Sequence, residues 1–395
     1  MVVSDRVGWT AGLRHPSTRL AAAGMLTMAT ALGIDRFVYT PILPVMAEAT
    51  GLSAAHTGLI ASANFLGYLV GALAAAKTDL PGSRRIWLVG TLAVSALATG
   101  AMGLISSLPE FLLVRFAGGA AGAFAIVVAI SLVVERLARE RRSSLLAIHF
   151  GGVGVGIALS AVMISAGLGI GNDWRLLWMA ASAVSVSFTL MVAGLMSREP
   201  AGRTAVTPHL ASTLRPGFSS LIVANVLSAF GYVTTATFLV AIVRQSPELR
   251  PLESWVWVLF GLATAPSVAV WTWIGSYVGT ARALSLAYLV EAAGVALSVL
   301  SLVETGMIIA TIFVGATFIA NTALGMTAAR ALSDGDARRP VALMTAAFGV
   351  GQIAGPTFAG VLHDLLGSFL VPSVIAAAGL IVGAVLVGRL KAPGL

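Results

Sequence analysis

Long uninterrupted apolar segments alternate with short polar connectors along most of this chain. About 20 apolar residues are enough for a helix to cross the hydrocarbon core of a bilayer. A transmembrane β-strand would instead alternate apolar and polar side chains over about ten positions. The pattern therefore predicts an all-α polytopic membrane protein with twelve transmembrane helices. The predicted spans, numbered 1 to 12, are 20–46, 54–76, 86–106, 109–134, 144–168, 174–197, 218–243, 254–276, 283–303, 306–329, 341–362 and 368–388.

Composition supports this class and excludes others. The 395 residues are 58% hydrophobic and 10% charged, with a mean hydropathy of +0.95. Soluble domains carry about 25% charged residues, so a water-soluble fold is excluded. The chain has no cysteine, its five histidines lack metal-ligand spacing, and its glycine-rich strings lack a phosphate-loop ending. We therefore expect no cofactor, no metal and no enzymatic activity, and the connectors are too short for a receptor domain.

The net charge of +8 would suggest a nucleic-acid partner in a soluble protein. The Lys and Arg residues, however, fall almost entirely in connectors on the side of the spans that carries both termini. Cytoplasmic connectors of membrane proteins have this excess. We therefore predict an inner-membrane protein with both termini in the cytoplasm and no nucleic-acid partner. Only Arg36 and Arg115 lie deep inside spans, away from their ends, so orientation does not explain them.

The longest internal connector divides the chain into two halves of six spans each. We place an N-terminal bundle at 1–197, a cytoplasmic linker at 198–216 and a C-terminal bundle at 217–395. The halves are faintly similar, since residues 35–43 of span 1 are DRFVYTPIL and residues 231–239 of span 7 are GYVTTATFL. Parallel six-helix repeats of this kind place a solute site at their interface near the middle of the membrane.

Three segments resemble signatures of the major facilitator superfamily. Residues 71–85, GALAAAKTDLPGSRR, resemble the connector between spans 2 and 3, with altered spacing. Residues 115–123, RFAGGAAGA, resemble the Arg-x-x-x-Gly-x-x-x-Ala pattern of span 4, and residues 41–44 resemble the Pro-x-x-Pro end of span 1. The resemblance implies two bundles that alternate access to a central site. We assign gating roles to Asp79, Arg84, Arg85, Gly355 and Pro356.

The chain is more specifically similar to the YbfB/YjiJ-like branch of this superfamily. The strings that carry the similarity are RFVYTPILP at 36–44, SANFLGY at 62–68, GYVTTATFL at 231–239, WVLFGLATAP at 257–266 and FGVGQIAGP at 348–356. Two positions depart from what the resemblance implies. Asp35 stands where the branch usually has glycine. The Gly-Pro pair that drug exporters carry in span 5 is replaced by Gly156 and Ile157, which disfavours a drug antiporter.

Asp35 and Arg36 lie near the middle of span 1. Charged side chains there cost roughly 2.5–3.5 kcal/mol each on insertion scales, so they normally face a cavity or a partner. The guanidinium fork of Arg36 fits a carboxylate or phosphate, and Tyr39 lies beside both side chains on the helix. We interpret Arg36 as an anion-binding residue and Asp35 as a proton carrier. The alternative is a static charge cluster that ties span 1 to its neighbours.

Further polar side chains are candidates for lining the central pathway. Arg115 of span 4 lies on a stripe of small residues, where it either faces the cavity or braces the bundle. Because the resemblance implies that spans 1, 2, 4, 5, 7, 8, 10 and 11 form the cavity, we favour lining over helix-to-helix hydrogen bonding for the polar stripes. The predicted substrate-binding residues are Arg36, Tyr39, Asn64, Tyr68, Arg115, Asn225, Tyr232, Asn321 and Gln352.

Other ionisable residues receive weaker assignments. His149 in span 5 is either a second proton-coupling group or a satisfied hydrogen-bonding histidine. The resemblance implies that span 9 lies on the outside of the bundle, so Glu291 is expected to be neutral or paired and outside the pathway. Glu48, Glu304 and Asp364 lie at span ends and are interpreted as ordinary interface residues.

These observations predict a secondary transporter that moves a small organic anion by alternating access, with protons as the coupling ion. Its partners are then the solute, protons and the lipid bilayer, and we expect a monomer. The alternative within transport is broad-specificity export of drugs or metabolites by proton antiport. A membrane-embedded receptor or enzyme is the alternative outside transport, and no nucleophile–base or metal constellation supports it.

Overall fold

The computed structural model describes residues 15–76, 82–140, 142, 145–168, 171, 173–196, 213–335 and 338–390. Within this part of the chain, eleven helical segments are long and apolar enough to cross a membrane. A twelfth, Arg84–Ala101, is less apolar because it begins with two arginines. The observed spans 1 to 12 are Pro16–Thr50, Ala54–Ala75, Arg84–Ala101, Leu108–Arg139, Leu146–Leu168, Trp174–Leu195, Phe218–Gln245, Glu253–Val278, Thr280–Leu300, Glu304–Ala331, Arg338–Leu366 and Leu370–Gly388. The predicted all-α membrane class is confirmed.

Two short strands form the described sheet structure, β1 at Thr213–Leu214 and β2 at Ser333–Asp334, paired antiparallel. They join the segment before span 7 to the connector after span 10. Residues 197–212 lie outside the described residues. The boundaries of the two bundles and the linker at 198–216 therefore stay a prediction.

The two halves meet along two pairs of spans, 2 with 11 and 5 with 8. A Cβ added at Gly58 of span 2 would meet the carbonyl of Pro356 in span 11. A Cβ added at Gly154 of span 5 would likewise meet the backbone at Gly261 of span 8. Glycine lets helix backbones approach this closely, which is a general feature of packing in membranes. The halves thus touch backbone to backbone.

The halves are joined more on one side of the molecule than on the other. We call the side where span 1 begins and span 12 ends the terminal face, and the opposite side the distal face. Among the described residues, hydrogen bonds and ion pairs between the halves lie from the middle of the spans to the distal face. Ser165 at the distal end of span 5 donates to the carbonyl of Ser254 at 3.2 Å, for example. The central region is therefore closed toward the distal face.

Two spans are interrupted inside the membrane. Span 1 passes from an α-helix, Pro16–Met28, through a π-helical segment, Ala29–Ile34, and a turn before the helix Tyr39–Thr50 begins. Span 10 consists of Glu304–Gly315 and Phe318–Ala331. Such interruptions leave main-chain groups without helical partners, and in transporters they occur where backbone lines a cavity or is buried in protein.

Candidate functional site

Arg36 follows the π-helical segment of span 1 and extends its side chain into the middle of the molecule. Its guanidinium carbon lies 4.4 Å from the ring centre of Phe65, 4.6 Å from that of Tyr68 and 5.3 Å from that of Phe37. The residue is 7% exposed, and its Nε and Nη2 atoms have no hydrogen-bond partner. Buried guanidinium donors are normally satisfied. Two donors of the Arg36 guanidinium are therefore open, and their use by an anion stays a prediction.

Asp35 does not neutralise its neighbour. The Ser185 hydroxyl of span 6 donates to Oδ1 at 2.6 Å, and Oδ2 has no hydrogen-bond partner. Ser95 and Thr99 of span 3 complete the hydroxyl surroundings of the carboxyl group. Asp35 is thus held inside the N-terminal half, where it also borders a small cavity shared with Arg36.

Arg115 supports the interrupted backbone of span 1. Its Nη1 donates to the carbonyl of Asp35 at 2.9 Å and its Nη2 to the carbonyl of Arg36 at 3.1 Å. The Asn64 amide donates in turn to the carbonyl of Arg115 at 2.9 Å. These contacts support the bracing alternative for Arg115. They leave the Oδ1 of Asn64 without a partner, in the wall of the cavity beside Arg36 and Tyr68.

Tyr39 lies apart from this cavity. Its hydroxyl donates to the carbonyl of Thr57 in span 2 at 2.8 Å, and its ring packs 6.2 Å from that of Trp178. Tyr39 therefore joins span 1 to spans 2 and 6, and its predicted contact with a substrate stays a prediction.

The C-terminal half contributes a polar pair opposite Arg36. The Gln352 amide of span 11 donates to the hydroxyl of Tyr232 in span 7, and its Oε1 has no partner. The ring of Tyr232 is stacked between Phe318 and Phe348, at centroid distances of 5.1 and 5.9 Å. Tyr232 also lies within electrostatic range of Arg36 and Tyr68. We call the group of Arg36, Asn64, Tyr68, Tyr232 and Gln352 the central cluster.

Two other predicted lining residues lie elsewhere. The Asn225 amide donates to the carbonyl of Met344 at 2.8 Å and so links spans 7 and 11. The Asn321 amide donates to Oε2 of Glu291 at 2.8 Å. Glu291 itself is 0% exposed and has hydrogen-bond partners within the C-terminal half, which fits the expectation of a paired residue, while its exclusion from the pathway stays a prediction. Span 9 turns its polar face toward spans 7 and 10.

His149 is fully buried between spans 5 and 1. A Cβ added at Gly24 would lie against its ring, and both ring nitrogens lack a partner that meets hydrogen-bond geometry. It lies well toward the terminal face from Arg36, since Gly24 precedes Arg36 by three helical turns. The structure does not bring His149 into the central cluster.

The predicted gating residues are dispersed. Asp79 lies outside the described residues. Arg84 pairs with Glu135 at 3.3 Å, and Arg85 donates to the carbonyl of Ala193 at 2.6 Å, so both arginines tie span ends within the N-terminal half. Gly355 packs against span 7, and the neighbouring Pro356 faces span 2 at the boundary between the halves.

Sequence reasoning missed a set of distal contacts that join the halves. The carboxylate of Asp364 accepts the main-chain N–H groups of Ala54 and Ala55, each at 3.0 Å. Arg244 of span 7 pairs with Glu48 of span 1 at 2.7 Å. We call these two contacts the distal latch. Glu48 and Asp364 lie at span ends, as predicted, and each in addition bridges the two halves, which the sequence did not indicate.

The comparisons with known proteins agree with this architecture. Residues 28–388 match the family described as uncharacterised MFS-type transporter YbfB. A mutant of the nucleoside transporter NupG is similar in structure, with a TM-score of 0.76 and 12% identity over 94% of this chain and 99% of that one.

A second similar structure is a bacterial homolog of the human lysosomal transporter Spinster, inward-facing and occupied. Its TM-score is 0.73 at 16% identity, over 94% of this chain and 96% of that chain. At these identities the two structures support the fold alone. No curated protein matches the sequence. The family match covers most of the chain, and the chain therefore belongs to the YbfB-type family of major facilitator transporters, as a multi-pass membrane protein.

Proposed function

We propose that this transporter moves a small organic anion, bound between its two halves at the central cluster, in exchange for or together with protons. The observation that carries the proposal is Arg36, a buried cation whose Nε and Nη2 have no partner. A buried charge without a partner is costly. A carboxylate or phosphate that accepts from the guanidinium fork would remove this cost on binding.

The surroundings of Arg36 favour an anion that carries an aromatic or otherwise flat apolar part. Phe37, Phe65 and Tyr68 surround the guanidinium, and Phe37 lies 5.7 Å from Phe318 across the boundary between the halves. Aromatic side chains stack well on flat rings. The partnerless Oδ1 of Asn64 and Oε1 of Gln352 are acceptors available to polar substituents of the solute.

In this proposal Asp35 binds the coupling proton. Its carboxyl group is buried, adjacent in sequence to Arg36 and without a compensating salt bridge among the described residues. Binding of an anion to Arg36 changes the charge next to this carboxyl group, and protonation of Asp35 changes the charge next to the solute. Two charges that influence each other at this depth are coupled by simple electrostatics.

Orientation follows from the arginine distribution. Spans end at the terminal face beside Arg19, Arg85, Arg136, Arg282 and Arg389, while the distal face carries Arg175, Arg244 and Arg250. The excess of positive charge at the terminal face supports an orientation in which this face lies in the cytoplasm of an inner membrane. The closed distal side then corresponds to a state that faces the cytoplasm, and transport requires a second state in which the distal side opens.

Proton-driven export of cationic drugs is the competing function. The guanidinium of Arg36, whose Nε and Nη2 have no hydrogen-bond partner, opposes it, because a cation entering the central cluster would meet a like charge in a low-dielectric site. Direction of transport is a separate matter, since an anion site serves uptake and export equally.

A ligand screen followed by transport assays tests the proposal. The purified chain is heated with aromatic carboxylates, phosphate monoesters, an uncharged nucleoside and cationic drugs. We expect stabilisation by an anionic class only. The stabilising compound is then used for counterflow in proteoliposomes with the wild type, Arg36→Ala, Arg36→Lys and the exposed control Arg250→Ala.

The expected result is that R36A abolishes counterflow, R36K retains part of it and R250A behaves as the wild type. Stabilisation by cationic drugs alone, or wild-type kinetics of R36A, would contradict the anion site. For coupling, Asp35→Asn should keep counterflow and lose accumulation driven by a pH gradient. Accumulation by D35N would remove Asp35 from the proposal.

A further inference from the structure

Glu291 forms a second buried acidic site, inside the C-terminal half. It is 0% exposed and lies in the middle of span 9. The Asn321 amide donates to its Oε2 at 2.8 Å, and the Thr317 hydroxyl lies 3.4 Å from its Oε1. Ser228 of span 7 interacts with both Glu291 and Tyr288. The group is thus surrounded by hydroxyl and amide side chains from three spans.

No cation is present to neutralise this carboxyl group among the described residues that surround it. Span 12 contains no titratable residue, and span 8 contributes Glu253 and Tyr277 only at its ends. Span 7 contributes Tyr232 near Glu291 and Arg244 at its distal end, while Glu304 and Arg330 lie at opposite ends of span 10. An isolated carboxylate at this depth is very costly, and such groups take up a proton instead.

The hydrogen-bond arrangement also fits a neutral acid. The Thr317 hydroxyl has one hydrogen, and its nearest acceptor is the carbonyl of Phe313 at 2.7 Å, closer than Glu291 at 3.4 Å. A hydroxyl oxygen that donates elsewhere still accepts. The longer contact is therefore satisfied when the proton resides on Glu291 Oε1 and Thr317 accepts it, while Asn321 donates to Oε2.

Glu291 lies beside the interruption of span 10, which in turn contacts the central cluster. Thr317 lies in the interruption of span 10, where Thr264 donates to the carbonyl of Gly315 and the Trp271 indole donates to that of Ala316, both at 2.9 Å. The next residue, Phe318, stacks on Tyr232 of the central cluster. A change at Glu291 thus reaches the solute site through one helix break and one aromatic contact.

We propose that Glu291 is a second proton-binding site of this transporter, whose protonation holds the span 10 break in the present arrangement and whose deprotonation releases it. The proposal deepens the proposed function by giving each half one acid beside an interrupted span, Asp35 in the N-terminal half and Glu291 in the C-terminal half. The Asn321 N–H that points at the carboxyl group disfavours a sodium ion in the same place.

Infrared spectroscopy of the purified chain tests this without a transport assay. Difference spectra between acidic and alkaline pH are recorded for the wild type, Glu291→Gln and Asp35→Asn, in potassium and in sodium buffers. We expect a carboxylic-acid C=O band that D35N retains, that E291Q lacks, and that disappears at alkaline pH equally in both salts. Asn321→Ala should shift the frequency of this band, which also assigns it if E291Q fails to fold.

Two results would overturn the proposal. The absence of a Glu291 band from the difference spectra means that the group does not change its protonation between the two pH values, whether it is permanently ionised or a purely structural neutral acid. A band lost only in sodium means a sodium site. Failure of the anion or proton-coupling assignments is separate, since it would appear in counterflow and accumulation while this band remained assignable.

Discussion

The guanidinium of Arg115 donates to the main-chain carbonyl of Asp35, at 2.9 Å, and not to its carboxylate. A second bond to the carbonyl of Arg36 makes the same side chain a clamp on the interrupted part of span 1. The interruption would otherwise leave these carbonyls unpaired in an apolar interior, at a cost of several kcal/mol each. A charge in span 4 thereby makes the geometry of span 1 possible.

We expect Arg115→Ala to reduce stability first and transport only as a consequence. Each hydrogen bond to a charged group contributes about 1.5–3 kcal/mol, so loss of both should lower the thermal unfolding temperature markedly. Arg115→Lys should rescue little because one ammonium group does not reproduce two fixed donors. A variant R115A with wild-type unfolding temperature but no solute binding would instead assign Arg115 to the solute.

The Asp364 half of the distal latch should control the balance between the two states. Its carboxylate bonds two N–H groups of the opposite half, so Asp364→Ala should shift the equilibrium toward distal opening by on the order of tenfold. Because the chain has no cysteine, a single Ser62→Cys label in the span 2 and span 11 interface reports opening through its alkylation rate.

Glu48→Gln is the matched control for that experiment. Glu48 also bridges the halves on the distal face, but its side chain is 62% exposed, and exposed ion pairs contribute about 0–1 kcal/mol. We expect alkylation at position 62 to accelerate clearly in D364A and little in E48Q. Equal rates in both variants would refute the assignment of the stronger contact to Asp364.

Two variants of Tyr232 should separate the contribution of its hydrogen bond from that of its ring stacking in the central cluster. Tyr232→Phe removes the hydroxyl that accepts from Gln352 and keeps the ring between Phe318 and Phe348. We expect a several-fold rise in KM with little change in kcat, because the Gln352 amide loses its fixed orientation. Tyr232→Ala should lose transport altogether. Unchanged KM in Y232F would show that Gln352 does not contact the solute.

The pairing of β1 with β2 should depend on pH. The hydrogen bonds from Arg215 hold the pKa of Asp334 below its usual range. A lowered pKa means that the carboxylate form stabilises the folded strand pair at neutral pH, and that this contribution is lost as the pH falls through the lowered pKa. Amide exchange of Arg215, which donates to the carbonyl of Leu332, measures it. Protection relative to Asp334→Asn should be present at neutral pH and vanish on acidification.

The spans, and Arg36 as the candidate anion-binding residue, could be identified in the sequence because both signals are local. Hydropathy alone places each helix, and Arg36 stands out as a charge that no connector explains. Tyr68, Tyr232 and Gln352 follow from polar stripes on spans that the family places at the centre. The placement of these three agrees with the expectation, although their contact with a solute stays a prediction.

The features that could not be predicted depend on contacts between distant parts of the chain. The interruption of span 10 leaves hydropathy high, and the charges at Asp35 and Arg36 lower it in span 1 without indicating a π-helical segment followed by a turn. Asp364 lies near the end of span 11, where a carboxylate is ordinary in the sequence, and its contact with the other half exists only because span 2 begins beside it. The partners of Glu291 could not be predicted, because the order of spans gives the position of span 9 but not the direction in which its polar face points.

The glycine contact between Gly154 and Gly261 has a mechanical consequence. Where side chains interlock, one surface must be lifted out of the other before it turns, and that step sets a barrier. Two helices whose backbones touch through glycines can rotate against one another without first separating. Even the Cβ of alanine at Gly154 would meet main-chain atoms of span 8, so Gly154→Ala should push spans 5 and 8 apart and change the rate of exchange between the two states, even where the central cluster is intact.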